Sequence, residues 1–187
     1  MSGSFEIFTT EIKDLLVLQR VPHKDDRGHF ERLFCEKELE SVLRGRKLIQ
    51  INHSQTLKKG VIRGMHFQYP PYAEMKLISC LYGEIFDVAV DLREESLTYL
   101  QWHGEILSEN NYKTMVIPEG FAHGFQVLSD KCGLVYFHTN CYNQNFEDGL
   151  NPMDKKLAIR WPIAQSTLST RDELFPKIEN RSVKVPL

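Results

Sequence analysis

The chain has 187 residues, 42% apolar and 26% charged, which is enough for one domain with its own core and unlike a disordered or low-complexity chain. With 23 Lys and Arg against 25 Asp and Glu, its net charge of −2 gives no electrostatic case for a nucleic-acid partner. No apolar run approaches the ~20 residues of a membrane span, and the start MSGSFEIFTT has no basic stretch followed by an apolar core, so no signal peptide is expected. The four cysteines, Cys35, Cys80, Cys132 and Cys141, show no C-x-x-C spacing. They are expected to be reduced thiols in a cytoplasmic protein.

Residues 11–21 carry the apolar run Leu15-Leu16-Val17-Leu18 and form a strand that Pro22 ends. Asp25-Asp26-Arg27-Gly28 is a turn. Residues 30–34 form a short strand, and residues 36–43 a helix with Leu39, Val42 and Leu43 on one side. Residues 47–54 alternate, with Ile49 and Ile51 on one face and Gln50, Asn52 and Ser54 on the other. A polar stripe of this kind is ordinarily a solvated face; at the mouth of a barrel it reads a ligand.

Residues 60–76, GVIRGMHFQYPPYAEMK, hold His66, Arg63 and Lys76. A strand leads in from Val61 and stops at Pro70-Pro71, because proline has no N–H for a ladder. A second strand, residues 75–82, leads back, so that His66 and Lys76 are expected to face each other across a hairpin. On a regular strand Arg63 and His66 point to opposite faces. Both reach one cavity only if the strand slips, and Gly64 is the natural place for a bulge.

Residues 83–93, GEIFDVAVDLR, are the clearest strand: Phe86, Val88, Val90 and Leu92 share one face, Asp87 and Asp91 the other. A turn and a strand within SLTYLQWHGEIL follow, then the polar turn SENNY and a strand over residues 114–117. Residues 121–128 place His123, Phe125 and Val127 together. Residues 133–139 put Tyr136 and His138 opposite Val135 and Phe137. NQNFEDGLNPMD reads as a loop before the apolar run 157–161. In the tail, Thr170 and Glu173 form a capping box for a short helix that Pro176 ends. Many short strands at roughly 8–12-residue spacing, with few helices, make an all-β sandwich or barrel whose ligand site lies in the barrel mouth.

PEGFAHGF at residues 118–125 fits P-x-G-x-x-H, the second signature of the cupin barrels, whose histidine is a ligand in the metal-binding members. The first cupin signature, H-x-H followed by glutamate, is absent: His66 stands there alone between Met65 and Phe67. An incomplete ligand set points to a metal-free cupin-type barrel. For His123 a packed, hydrogen-bonded histidine and a direct role in the site stay open.

Across DDRGHF, QINHSQTLKKGVIRGMHFQYPP, KLISCLYGEIFDVAVDLREES, LSENN, IPEGFAHGFQVLS and DKKLAIRWP, residues 25–162, the chain resembles the dTDP-4-dehydrorhamnose 3,5-epimerase family of sugar-nucleotide epimerases. The resemblance implies a single jelly-roll domain over residues 1–187, with family-matching core 25–162 and tail 163–187. It implies no metal or other cofactor, and a homodimer with exchanged N-terminal strands. The implied substrate is a nucleoside-diphosphate 4-keto-6-deoxy sugar on the way to cell-surface polysaccharide. It makes His66 the base, Asp154 the carboxylate paired with it, Lys76 the cation at the keto group and Tyr136 the proton donor from the other face. Arg27 and Arg63 match positions near the diphosphate, and Gln50, Asn52 and Tyr142 the nucleotide side. Phe30, Arg32 and His123 are placed with the substrate-binding set.

The chemistry suits these residue types. A C4 ketone acidifies the hydrogens on C3 and C5, and histidine is the side chain whose ordinary pKa suits their removal near neutral pH. A carboxylate on its second nitrogen holds the tautomer. An ammonium supplies charge where the enolate oxygen develops it, and inversion needs a donor on the opposite face. Singly, each residue has an ordinary structural explanation: a packed histidine, a solvated lysine, a core tyrosine, a loop-capping aspartate. Their joint occurrence favours the enzyme.

The chain departs from the family's R-G-x-F-x-E by placing Arg32 at the glutamate position, where arginine can only donate and glutamate accepts. That leaves the nucleotide, dTDP or CDP, open, and the Asn151-Pro152-Met153 run also departs from some members near the sugar. Every catalytic position is filled, which favours inversion of both C3 and C5 of the dTDP-linked 4-keto sugar, with inversion at C3 or C5 alone as the alternative. A metal-dependent cupin and a non-catalytic sugar-nucleotide binding protein are the more distant alternatives.

Overall fold

The computed structural model describes residues 3–164 and 167–186. Met1, Ser2, Gln165, Ser166 and Leu187, which the expected domain and its tail include, lie outside the described residues. The strands are β1 (Phe5–Thr9), β2 (Leu16–Arg20), β3 (His23–Asp25), β4 (Gly28–Phe30), β5 (Gln50–Thr56), β6 (Ile62–Gln68) and β7 (Lys76–Tyr82), followed by β8 (Glu84–Asp91), β9 (Trp102–Ser108), β10 (Lys113–Ile117), β11 (Phe121–Val127), β12 (Cys132–His138) and β13 (Glu147–Gly149). Two short α-helices accompany them, α1 (Glu40–Leu43) and α2 (Thr170–Leu174).

The strands form two antiparallel sheets, β1-β2-β10-β7-β12-β5 and β13-β6-β11-β8-β9, with β3 and β4 as a separate hairpin. This is the cupin-type jelly roll that the P-x-G-x-x-H signature and the family resemblance imply. Between the sheets, Ile78, Met115 and Leu134 of the first meet Ile85, Ala89 and Phe125 of the second. Both outer faces are covered too. Leu39, Val42 and Leu43, around α1, lie on Leu18, Leu77 and Val116, and Leu157, Ile178 and Val183 of the C-terminal segment lie on Met65, Val88 and Val90.

The slip expected at Gly64 is present. His66 pairs with His123, yet Arg63 pairs with Phe125, so the ladder between β6 and β11 shifts by one residue. Gly64 has φ of 116°, and a Cβ there would lie 2.5 Å from the Gly124 Cα; no other residue fits this crossing. The slip turns Arg63 and His66 into one cavity.

Other expectations are corrected. His66 and Lys76 do not sit on paired strands: β6 pairs with β11 and β13, β7 with β10 and β12. The segment after β6 crosses from one sheet to the other, tied at Tyr69 N–H to the Phe146 carbonyl and at Met75 N–H to Thr139 Oγ1. The two residues therefore face each other across the barrel. Residues 31–34 continue no strand; Glu31 turns under the buried Arg20, 3.3 Å from its Nε. The helix expected over 36–43 is the single turn α1, and residues 157–161 form no regular element. Strands β1, β3 and β13 were not anticipated. The cap of α2 is Ser169, whose Oγ accepts the Asp172 N–H, in place of Thr170.

Candidate active site

A cavity of about 710 Å³ lies between the sheets. Arg63, His66 and His123 enter it from β6 and β11; Lys76, Tyr136 and His138 enter it from β7 and β12 on the opposite wall. Residues 167–169 and the start of α2 close one side.

His66 Nε2 lies 2.7 Å from Asp172 Oδ1. Asp172 is itself held, its backbone N–H donating to Ser169 Oγ and its Oδ2 accepting from the Gly64 N–H at 3.4 Å. Burial pushes this carboxyl up, but His66, Ser169 and the Gly64 N–H together bring it below the ordinary carboxylate range. The imidazole remains about a third exposed and meets the Phe175 ring edge-on.

The expected partner of His66, Asp154, lies elsewhere. It is buried away from the cavity, its Oδ1 accepting the Lys156 N–H at 2.8 Å and its Oδ2 the Ile178 N–H at 2.6 Å. Its geometry is that of a loop cap. The tail folds back so that Asp172 of α2, and not Asp154 of the D-x-x-L segment, reaches His66. The sequence signal for Asp172 was a helix cap one residue earlier than expected, which sets the aspartate on the first turn.

Tyr136 stands between two histidines, edge-on to His123 and stacked on His138, each at 6.0 Å between ring centroids. Burial drives the phenol well above its usual range, partly opposed by the hydrogen bond that Ser54 donates to it, so it stays protonated through neutral pH. His123 Nε2 lies 2.7 Å from Asp87 Oδ1. Asp87 is fully buried; burial raises its carboxyl above the usual range against the opposing charge of His123. Lys76 Nζ lies 3.3 Å from Glu74 Oε1, and Glu74 Oε2 lies 2.7 Å from His138 Nδ1.

At the rim, Arg63 donates through Nε to Thr56 Oγ1 and keeps the rest of its fork free of that bond. Asn52 and Tyr142 line the cavity, while Gln50 stands behind, its Oε1 accepting the Tyr142 N–H. Tyr142 donates its hydroxyl to Glu147, which also pairs with Arg171. Arg27, Phe30 and Arg32 are not brought to this cavity. Arg27 is exposed and pairs with Asp25, Phe30 is exposed at the same hairpin, and Arg32 is held by Glu38 and Ser4. Asp172, Glu74, His138, Glu147 and Arg171 are the site residues that sequence reasoning missed. Among the described residues no group of three His, Cys, Asp or Glu side chains is placed to hold a metal ion.

Residues 9–180 match the family model described as dTDP-4-dehydrorhamnose 3,5-epimerase. A protein of that name from Shigella flexneri is 45% identical, over 89% of this chain and 92% of its own. A dTDP-4-dehydrorhamnose 3-epimerase from Streptomyces niveus is 37% identical, over 80% and 72%. Among solved structures, a dTDP-6-deoxy-D-glucose-3,5-epimerase from Legionella pneumophila in complex with dTDP-4-keto-L-rhamnose superposes with a TM-score of 0.90 at 37% identity, covering 97% of this chain and 98% of that one.

Proposed function

The chain belongs to the dTDP-4-dehydrorhamnose 3,5-epimerase family, and from that premise we propose that it inverts C3 and C5 of dTDP-4-dehydro-6-deoxy-D-glucose to give dTDP-4-dehydro-L-rhamnose. One observation carries the reading. A histidine–carboxylate dyad on one wall faces a protonated phenol and an ammonium on the other, around a single cavity.

In this reading His66 removes the proton made acidic by the C4 ketone. Its Nε2 is committed to Asp172, which leaves Nδ1 as the nitrogen available to the substrate. Asp172 stabilises the imidazolium that forms. Lys76 meets the developing enolate oxygen with its ammonium, supplying charge where charge develops. Tyr136 returns a proton to the opposite face of the ring. Each inversion leaves His66 with one proton more and Tyr136 with one fewer, and solvent resets both. The forked donors of Arg63 suit the diphosphate.

The hairpin that carries Arg27 lies outside this chain's own cavity. We assign it to the site of a second copy, in a homodimer with exchanged N-terminal strands. The apolar side chains left exposed on the edge strands β1 and β5 of one sheet, among them Ile7, Phe8 and Ile51, support that assembly. Among the described residues no helix is long and apolar enough to cross a membrane. The four cysteines are free thiols, which suits the reducing cytoplasm.

Incubation with the dTDP- and CDP-linked 4-keto-6-deoxyglucose in D₂O, read by NMR and mass, tests the reaction. The expected result is deuterium at both C3 and C5 of the dTDP sugar. His66→Ala should abolish exchange and keep dTDP binding. Exchange at neither carbon with either nucleotide would refute the reading, and exchange at C3 alone would make the protein a 3-epimerase.

A further inference from the structure

Lys76 carries its charge on a flexible four-carbon stem, so something must hold the ammonium if it is to meet one oxygen. Among the described residues Glu74 is the one carboxylate in ion-pair reach of it, at 3.3 Å. Glu74 stands two residues before Lys76, and its other oxygen goes to His138, the direct cross-strand partner of Lys76 in the ladder between β7 and β12. The far nitrogen of that imidazole, Nε2, faces the Asn52 amide at 3.4 Å.

The polarity of this chain of contacts is consistent throughout. With the His138 proton on Nδ1, the Asn52 amide donates to Nε2, Nδ1–H donates to Glu74, and the Lys76 ammonium pairs with the same carboxylate. Every donor runs toward the carboxylate. Burial pushes Glu74 up, yet Lys76 and His138 together hold it below the ordinary range, so it is charged at neutral pH. The His138 ring also stacks on Tyr136, with 11° between planes. The network therefore grips the ammonium and braces the phenol on one wall. With Nδ1 at Glu74 and Nε2 at Asn52, both nitrogens of His138 are engaged within the network.

We propose that Glu74 and His138 are the positioning pair for Lys76 and Tyr136: Glu74 fixes where the ammonium meets the ketone oxygen, and His138 fixes Glu74 and the tilt of the phenol. This role rests on the 4-ketosugar reading of the cavity. It predicts a loss in turnover rather than in binding, because the groups they place act on charge that develops in the transition state.

The test measures kcat and KM for C3 and C5 exchange, dTDP affinity and the thermal midpoint for Glu74→Gln, His138→Asn, His138→Ala and the Glu74→Gln/His138→Ala double variant. Glu74→Gln and His138→Ala should each lower kcat by about 10- to 100-fold, with KM and dTDP affinity held within about threefold. His138→Asn, which restores an N–H near the Nδ1 position, should recover most of the loss. The double variant should be little worse than either single one, since the residues act as a unit. The pair is refuted as a positioning device if Glu74→Gln and His138→Ala turn over within twofold of the unaltered chain. It is also refuted if His138→Asn and His138→Ala lose activity equally and in step with the midpoint. Should Glu74→Gln fail to fold, the comparison of His138→Asn with His138→Ala decides alone. No exchange by the unaltered chain would sink the ketosugar reading and this role with it, an outcome distinct from an active chain indifferent to the substitutions.

Discussion

His66 and Asp172 are 106 positions apart in the chain and 2.7 Å apart in space, whereas Asp154, nearer in sequence, spends both oxygens on backbone N–H groups. The two aspartates should therefore fail differently. Asp172→Asn leaves the imidazole without its charged partner and should lower kcat by about 10²- to 10⁴-fold with dTDP affinity retained. Asp154→Asn faces an amide N–H₂ toward a backbone donor and should cost about 1–3 kcal/mol of stability, with turnover per folded molecule unchanged; thermal melts and exchange rates on both variants separate the two. The pH dependence has a definite sign. The Asp172 carboxyl lies below its ordinary 3.8 in the folded chain, so the folded state binds fewer protons there. Its contribution to stability is present above pH 3.8 and is lost as pH falls through the folded value. The acid limb of the stability profile should be shallower in Asp172→Asn. At this scale the types His, Lys and Tyr were legible because few side chains suit enolate chemistry. The carboxylate was not, because aspartates that cap loops and aspartates that orient bases are the same letter.

Helix α2 exists to place that carboxylate. Ser169 Oγ accepts the Asp172 N–H at 3.1 Å, which fixes the first turn and with it the direction of the side chain. Ser169→Ala should cost about 1 kcal/mol of stability and lower kcat several-fold with KM retained. Ser169→Thr should keep both; a variant that melts lower and turns over normally would separate the cap from the chemistry. Other elements show what periodicity can carry. The alternation in β8 and β12 is plain in the sequence, and it put Tyr136 and His138 on one face. In β11 all seven residues are buried, so a period of two does not say which face meets the cavity. Strand β13, Glu-Asp-Gly, contains no strand former; it is extended because β6 offers it a ladder. The pairing of β7 with β10 and β12 is a property of the jelly roll, and nothing in the sequence around Pro70-Pro71 distinguishes it from a hairpin.

At the scale of the whole molecule, the sheet edges support the proposed dimer. β1 and β5 end the same sheet, and each leaves apolar side chains in water, the kind of edge that natural proteins cover. Light scattering should give twice the chain mass of 21.8 kDa. If the hairpin serves the neighbouring site, Arg27→Ala should raise KM with kcat kept, and mixing Arg27→Ala with His66→Ala after dissociation should bring back turnover at the unaltered KM, because the hybrid pairs one intact histidine with one intact arginine. A mixture in which all turnover keeps the raised KM would refute the exchange of the hairpin between subunits.

The His66–Asp172 pair, the proposed base and its carboxylate, joins a strand from the first half of the sequence to a helix that follows all thirteen strands. In the proposed reaction, a barrel holding all thirteen strands already presents Lys76 and Tyr136 but still lacks the carboxylate that orients its base. A chain cut before Ser169 should therefore lose most of its ketosugar exchange, however well its strands are paired.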